Sequence, residues 1–238
     1  MMIVDEKKVL AVIPARGGSK GIKLKNIKKI NGIPLMDYTI SQARKSKLFN
    51  QIVVSTDCDK IARNTEILKI NNFFKRPDRL SGDRVGKLEV IKHALYKAEH
   101  HYKIIFDIIF DLDVTSPLRS VRDIKEAFRT FIADGASNLI TVSESRHNPF
   151  FNQIMKLEGG GVKLVKNTNS KNFKRRQDTP KVYDMNASIY IWKRDYLLKS
   201  EIFGKKTSIY VMPQERSIDI DSKLDFKIVK FLMKKKQL

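Results

Sequence analysis

Residues Val9 to Ile13 form an unbroken apolar run that breaks at once into Pro14-Ala15-Arg16-Gly17-Gly18-Ser19-Lys20-Gly21. Such a run is expected where a strand is covered on both faces, as in a parallel sheet flanked by helices. The loop after it carries three glycines and two cations. Glycine lets backbone N–H groups approach a ligand closely, and a ring of such groups binds anions. Arg16 and Lys20 add positive charge suited to a polyphosphate. The order fits neither G-x-x-x-x-G-K-[ST] nor G-x-G-x-x-G. An ordinary solvated turn is the competing reading of this loop.

Downstream, strand and helix patterns alternate. Leu35, Tyr38, Ile40, Ala43 and Leu48 predict a helix after the Asn31-Gly32 turn. Residues 51–57 predict a strand ending in small polar residues, with Asp57 as N-cap of a helix over 58–70. A short strand is expected over 71–75, stopped by Arg76-Pro77. A helix over 86–101 turns Val90, Ala94 and Leu95 inward. Residues 104–113 make the most apolar strand, expected at the centre of the sheet and ending in Asp111 and Asp113 on one face. A helix over 121–133 and a strand over 138–142 follow. This order implies right-handed crossovers and a mostly parallel twisted sheet flanked by helices, an α/β fold in a single domain over 1–238. Ligands of open α/β sheets bind at the carboxyl ends of strands, which brings the glycine loop and the two aspartates to one crevice.

Residues 146–182 interrupt the alternation. Gly159-Gly160-Gly161 reads as a hairpin turn between strands over 153–157 and 162–165, followed by polar loop over 166–179. This protruding excursion serves either as a dimer arm or as a cover for the crevice. Strands over 188–192 and 208–211 and a helix over 224–233 complete the chain. Before that helix, alternation in Ser217-Ile218-Asp219-Ile220-Asp221 puts both aspartates on one face. Paired carboxylates call for a cation or a basic partner between them. Mg²⁺ bridging to substrate phosphates suits the pair; the alternative makes Asp221 only an N-cap. Together with the cationic loop, these carboxylates point to a metal–triphosphate site.

A net charge of +21 could suggest nucleic acid. The lysines are scattered, however, and aromatic residues are not interleaved with them as a single-strand binder requires. A solvated lysine-rich surface that attracts anionic substrates is the expected reading, with no nucleic-acid partner. The single cysteine, Cys58, excludes an intrachain disulfide and fits a reducing cytoplasm. No signal peptide and no stretch of membrane-spanning length is read. His93 is expected to be a packing or surface residue and Cys58 a structural one.

The segment 13–21, with Lys25-Asn26 after it, closely resembles the signature of the acylneuraminate cytidylyltransferases, the CMP-sialic acid synthetases. Val54-Ser55-Thr56-Asp57, Arg76-Pro77 with Leu80 and Asp83, Thr115-Ser116-Pro117-Leu118-Arg119, Asn186 with Ile189-Tyr190-Ile191, and Ser217 to Asp221 fall in that family's order. The resemblance implies a Rossmann-like nucleotidyltransferase fold, a homodimer built through the excursion, and use of CTP with Mg²⁺. It implies that the anomeric hydroxyl of a nine-carbon α-keto acid sugar attacks the α-phosphate of CTP and releases pyrophosphate. Ala15, Arg16, Gly17, Gly18, Ser19, Lys20, Lys25, Asn26, Arg76 and Asp113 would then hold the nucleotide. Asp113, Ser116, Arg119, Arg176, Asp184 and Asn186 would lie at the sugar, and Asp219 and Asp221 would bind Mg²⁺. Arg16, Lys20 and Asp219 are the residues expected to serve catalysis, the two cations by neutralising charge and positioning the phosphates and Asp219 as the general base if one acts.

Six positions, in four places, depart from the sialic-acid members. Asp113-Val114 replaces glutamine-proline, Gly86 and Lys87 replace small hydroxyl residues, Asp184 replaces an arginine, and Ala187 replaces a glycine. Acidic residues in place of glutamine and arginine should change how the sugar is read. The Asp-Leu-Asp-Val-Thr-Ser-Pro-Leu-Arg run looks most like the legionaminic acid branch. The competing expectations are a cytidylyltransferase for an eight-carbon sugar acid and a basic nucleic-acid-binding module.

Overall fold

Alternate residues of the first apolar run feed two different cores: Val9, Ala11 and Ile13 pack on one face of the sheet, Leu10 and Val12 on the other. Both faces are covered, which is why the run shows no polar alternation. The computed structural model describes residues 7–19, 21–166, 173, 175–199 and 201–235. In chain order the elements are β1 (Val9–Pro14), β2 (Lys29–Ile30), β3 (Ile33–Pro34), α1 (Leu35–Ser46), β4 (Gln51–Ser55), α2 (Asp59–Ile67), α3 (Lys87–Tyr102) and β5 (Ile108–Leu112). They continue with α4 (Val121–Ala133), β6 (Asn138–Glu144), β7 (Ile154–Lys156), β8 (Val162–Leu164), β9 (Tyr183–Lys193), α5 (Arg194–Leu198), β10 (Thr207–Val211) and α6 (Lys223–Lys235).

The main sheet has six strands in the order β10-β6-β9-β5-β1-β4. β1 pairs in parallel with both β4 and β5, and β10 pairs in parallel with β6. Only β9 runs against its neighbours, β5 and β6. The expected mostly parallel sheet, with helices on both faces, is therefore the observed one. After β1 the chain builds outward to β4, then returns to add β5 on the other side of β1. That reversal opens a crevice at the carboxyl ends of β1 and β5.

Three expectations need correction. Residues 71–75 are irregular: Asn72 donates to the Ala62 carbonyl at 2.7 Å and so ties the segment to α2 by a side chain instead of a ladder. Asp57 does not cap α2, whose N-cap is Cys58; the Asp57 carboxylate turns to the glycine loop instead. The strand expected from 104 begins only at Ile108, because Asp107 is held at the strand's start by the Lys8 carbonyl at 2.8 Å and Ile105 faces solvent. The hairpin around Gly159-Gly160-Gly161 forms as β7 and β8, and Gly160 and Gly161 take positive φ at its turn.

Candidate active site

The crevice at the sheet reversal has a volume of about 520 Å³. Its lining joins three loops: Arg16, Ser19 and Gly21 after β1, Asp113 and Thr115 after β5, and Asp219 and Asp221 before α6. Lys25, Asn26, Arg76, Lys87 and Ala187 complete the wall.

The glycine loop is held from two sides. Gly17 donates its backbone N–H to Asp57 at 2.8 Å, and Asn26 donates to the Arg16 carbonyl at 2.9 Å. A β-carbon on Gly17 would stand 2.8 Å from that of Cys58, so the turn requires glycine. Ala15 is fully buried at the end of the strand, where its N–H binds the Ser55 carbonyl at 2.9 Å. Gly18 follows exposed and Ser19 half-buried, and Lys20, expected to be catalytic, lies outside the described residues. Arg16 reaches Asp83 at 2.8 Å. Arg76 is nearly buried, its guanidinium donating to Ser55, and burial pushes its pKa down to about 10, so it remains a cation at neutral pH.

The aspartate loop is fixed with equal care. Arg216 forms a bidentate pair with buried Asp123 at 2.9 and 3.0 Å, just before Ser217. Ile220 donates to the Thr115 carbonyl at 3.0 Å. Lys25 binds the Ile220 carbonyl and the Asp221 carboxylate, the latter at 3.0 Å. Burial, and then the neighbouring Asp221 carboxylate, raise the pKa of Asp219. Asp221 is not the helix cap: Ser222 and Asp225 cap α6 reciprocally, through contacts of 3.2 and 2.6 Å.

Not every residue expected at the sugar faces this crevice. Arg119 and Ser116 are buried inside the protein. The Arg119 guanidinium donates to the carbonyls of Ser188 at 2.6 Å and Asp113 at 3.2 Å and to Thr39 at 3.1 Å, so it braces the strand ends. Asn186 is buried too, linking Thr141 at 2.7 Å to Ser217 at 3.0 Å. It therefore acts on the aspartate loop through Ser217. Asp184 stands exposed on β9 opposite Ser143. Arg176 lines a separate cavity of about 350 Å³ at the root of the excursion, donating to the Ser145 carbonyl at 2.8 Å.

Sequence reasoning missed the supports. Asp57 looks like a helix cap, and nothing in the sequence pairs Arg216 with Asp123 or Lys87 with Asp111 and Asp113. Lys87 lies 2.8 Å from Asp111 and 3.2 Å from Asp113, with its ammonium 4.7 Å from the Tyr190 ring centre. Burial works against its charge, but the two carboxylates outweigh it and hold the pKa above the usual lysine range.

A glycine loop rich in cations, set across a parallel-sheet reversal from a carboxylate pair, defines a site for nucleotidyl transfer. A protein-family profile described as Cytidylyltransferase matches residues 10–238, and the chain belongs to that family. It is 49% identical to a CMP-N,N'-diacetyllegionaminic acid synthase of Campylobacter jejuni over 97% of both chains. It is 48% identical to the post-translational flagellin modification protein B of Campylobacter coli, again over 97% of each. Among solved structures it matches a CMP:2-keto-3-deoxy-manno-octonic acid synthetase complexed with CTP, with a TM-score of 0.70 over 96% of this chain and 99% of that one. At 14% identity that likeness concerns the fold. No helix among the described residues is long and apolar enough to cross a membrane.

Proposed function

We propose that this cytidylyltransferase activates a nine-carbon α-keto acid sugar of the legionaminic type, joining CMP from CTP to its anomeric hydroxyl and releasing pyrophosphate. What carries the reading is the 49% identity to a legionaminic acid synthase over 97% of the chain. The geometry supports it: Arg16 and Arg76 line the crevice on the side of the glycine loop and would neutralise the phosphates.

Asp219 and Asp221 would hold Mg²⁺. Two carboxylates pressed together, one of them with a raised pKa, fit a divalent cation that shares its remaining positions with phosphate oxygens. When bound, the ion would neutralise phosphate charge and help align the reacting oxygens. Lys25 keeps Asp221 in place, and Asn186 does the same for the loop through Ser217. Lys20, Gly18 and Ser19 are proposed to complete the phosphate cradle.

The excursion is proposed to pair two copies of the chain. Its hairpin leaves Ile154, Met155, Leu157 and Val162 exposed on a short two-stranded ribbon, apolar surface that a second copy would cover. Cys58 is free and CTP is a cytoplasmic nucleotide, so action in the cytoplasm is part of the proposal.

The test is pyrophosphate release from CTP and Mg²⁺, with N,N'-diacetyllegionaminic acid and N-acetylneuraminic acid run side by side. Faster release with the former, abolished by Asp219→Ala, is the expected result. Equal turnover of the two acids would overturn the assignment of substrate.

A further inference from the structure

Two of the positions that depart from the sialic-acid pattern touch each other. Lys87, the first residue of α3, lies 3.2 Å from Asp113 after β5, and the same ammonium lies 2.8 Å from Asp111. Asp111 is fully buried beneath the crevice, and Lys87 is the cation that reaches it. Asp113 and Lys87 both line the crevice.

Asp113 is fixed at every level. Its N–H donates to the Ser188 carbonyl at 3.2 Å, and its own carbonyl accepts from Arg119 at 3.2 Å and from Thr39 at 3.3 Å. One carboxylate oxygen, Oδ1, accepts from the Thr115 N–H at 2.9 Å and from the Thr115 hydroxyl at 2.8 Å. The other, Oδ2, receives Lys87. An ionised carboxylate has about four acceptor positions, so one remains, on Oδ2. Being an anion, Asp113 is unsuited to meeting a phosphate or a carboxylate, and with the Lys87 ammonium already on Oδ2 it belongs against an uncharged donor of the ligand instead of a second cation.

We propose that Lys87 is a positioning residue, anchored on Asp111, that holds Asp113 as a fixed hydrogen-bond acceptor for an uncharged donor of the substrate: a hydroxyl, an amide N–H or an amino group. The inference rests on the cytidylyltransferase reading and adds to it. The donor belongs either to the sugar acid or to the base of the nucleotide, and the two arms of the test separate them. A glutamine or serine could donate as well as accept; the lysine-locked carboxylate only accepts, and so discriminates against ligands lacking the donor.

The test measures KM for CTP and for the sugar acid separately in wild type, Asp113→Asn, Lys87→Met and Lys87→Arg. Asp113→Asn leaves the Lys87–Asp111 pair intact and should raise one of the two KM values about tenfold, the worth of a charge-assisted hydrogen bond. Lys87→Met should raise the same KM, and Lys87→Arg, which keeps the cation, should recover most of the loss. The affected substrate identifies the donor: CTP means the base, the acid means the sugar. If Asp113→Asn leaves both KM values unchanged, the proposal is overturned. It is also overturned if Lys87→Met depresses kcat and both KM values together and arginine gives no rescue, the pattern of a merely structural lysine. If Lys87→Met does not fold, Lys87→Gln takes its place, because Asp113→Asn tests the acceptor and not the lysine. Wild-type protein that releases no pyrophosphate with any sugar acid would overturn the functional reading itself, and this inference with it.

Discussion

The backbone carbonyl of Asp221 lies against the α-carbon of Gly21, with no room for a β-carbon between them. The glycine loop and the aspartate loop thus meet backbone to backbone, and Lys25 binds the Ile220 carbonyl beside that contact. Gly21→Ala must drive the two loops apart. A displacement near 1 Å at a transfer site costs on the order of 100-fold in rate. Pyrophosphate release by Gly21→Ala should therefore fall by about that factor, while the circular dichroism spectrum stays that of the wild type. A variant with normal turnover would show that the two loops need not touch.

The Arg216–Asp123 pair anchors the same loop from the other side, and it makes stability depend on pH in a definite direction. Burial pushes the Asp123 carboxyl up, but Arg216 and the Ser120 cap outweigh it and hold the pKa below 3.8. Its contribution is therefore present above the unfolded value and is lost as pH falls through the lower folded one. Asp123→Asn strands Arg216 and breaks the capping box of α4. Removing one partner of such a pair should cost about 3 kcal/mol at neutral pH. Urea denaturation should show this gap at pH 7 and a narrowing of it below 3.8. A gap that stays constant down to acid pH would mean the ion pair contributes nothing.

The two carboxylates of the aspartate loop should differ in their response to metal. Asp221 shares its charge with Lys25 at 3.0 Å, whereas the pKa of Asp219 is raised by burial and by Asp221. Chelation with EDTA should abolish pyrophosphate release, and added Mg²⁺ should restore it. Asp221→Asn, which removes one of the two proposed carboxylate ligands, should raise the Mg²⁺ concentration needed for half-maximal rate about tenfold. Rate at saturating Mg²⁺ should recover to within a few-fold of wild type. An unchanged Mg²⁺ requirement would remove Asp221 from the metal's surroundings.

Much of this arrangement was legible in the sequence, because it rests on local patterns. The apolar run before Arg16 dictated a doubly covered strand, and the alternation of Asp219 and Asp221 put both in one crevice. Long-range side-chain contacts were not legible. Nothing near Arg119 in sequence says that its guanidinium spans to Ser188 and Thr39, so its place inside the protein was not legible there. Asp57 looks like a cap because it precedes a helix, yet the Gly17 N–H, 40 residues away, claims it. The Lys87–Asp113 contact joins residues 26 apart, and each departure looked independent until the fold brought them together.

Ala187 carries the last prediction. It follows Asn186 in β9, near the break in register opposite Ile140 and Val142, with a φ of +51°. A non-glycine residue in the left-handed region costs roughly 1–2 kcal/mol. Glycine would remove that strain but add about 0.4–1 kcal/mol of chain entropy to the unfolded state. The balance favours Ala187→Gly by about 0.8 kcal/mol, which for a chain of this length is a rise of roughly 2–3 °C in melting temperature. The methyl group also lines the crevice, so its removal enlarges the site beside Asp113 and Asp219. Scanning calorimetry together with KM for the sugar acid separates the two effects. A higher melting temperature with a raised KM would mean that the strained alanine is retained for its contact with the ligand. A lower melting temperature would show that the packing of the Ala187 methyl against the core outweighs the strain.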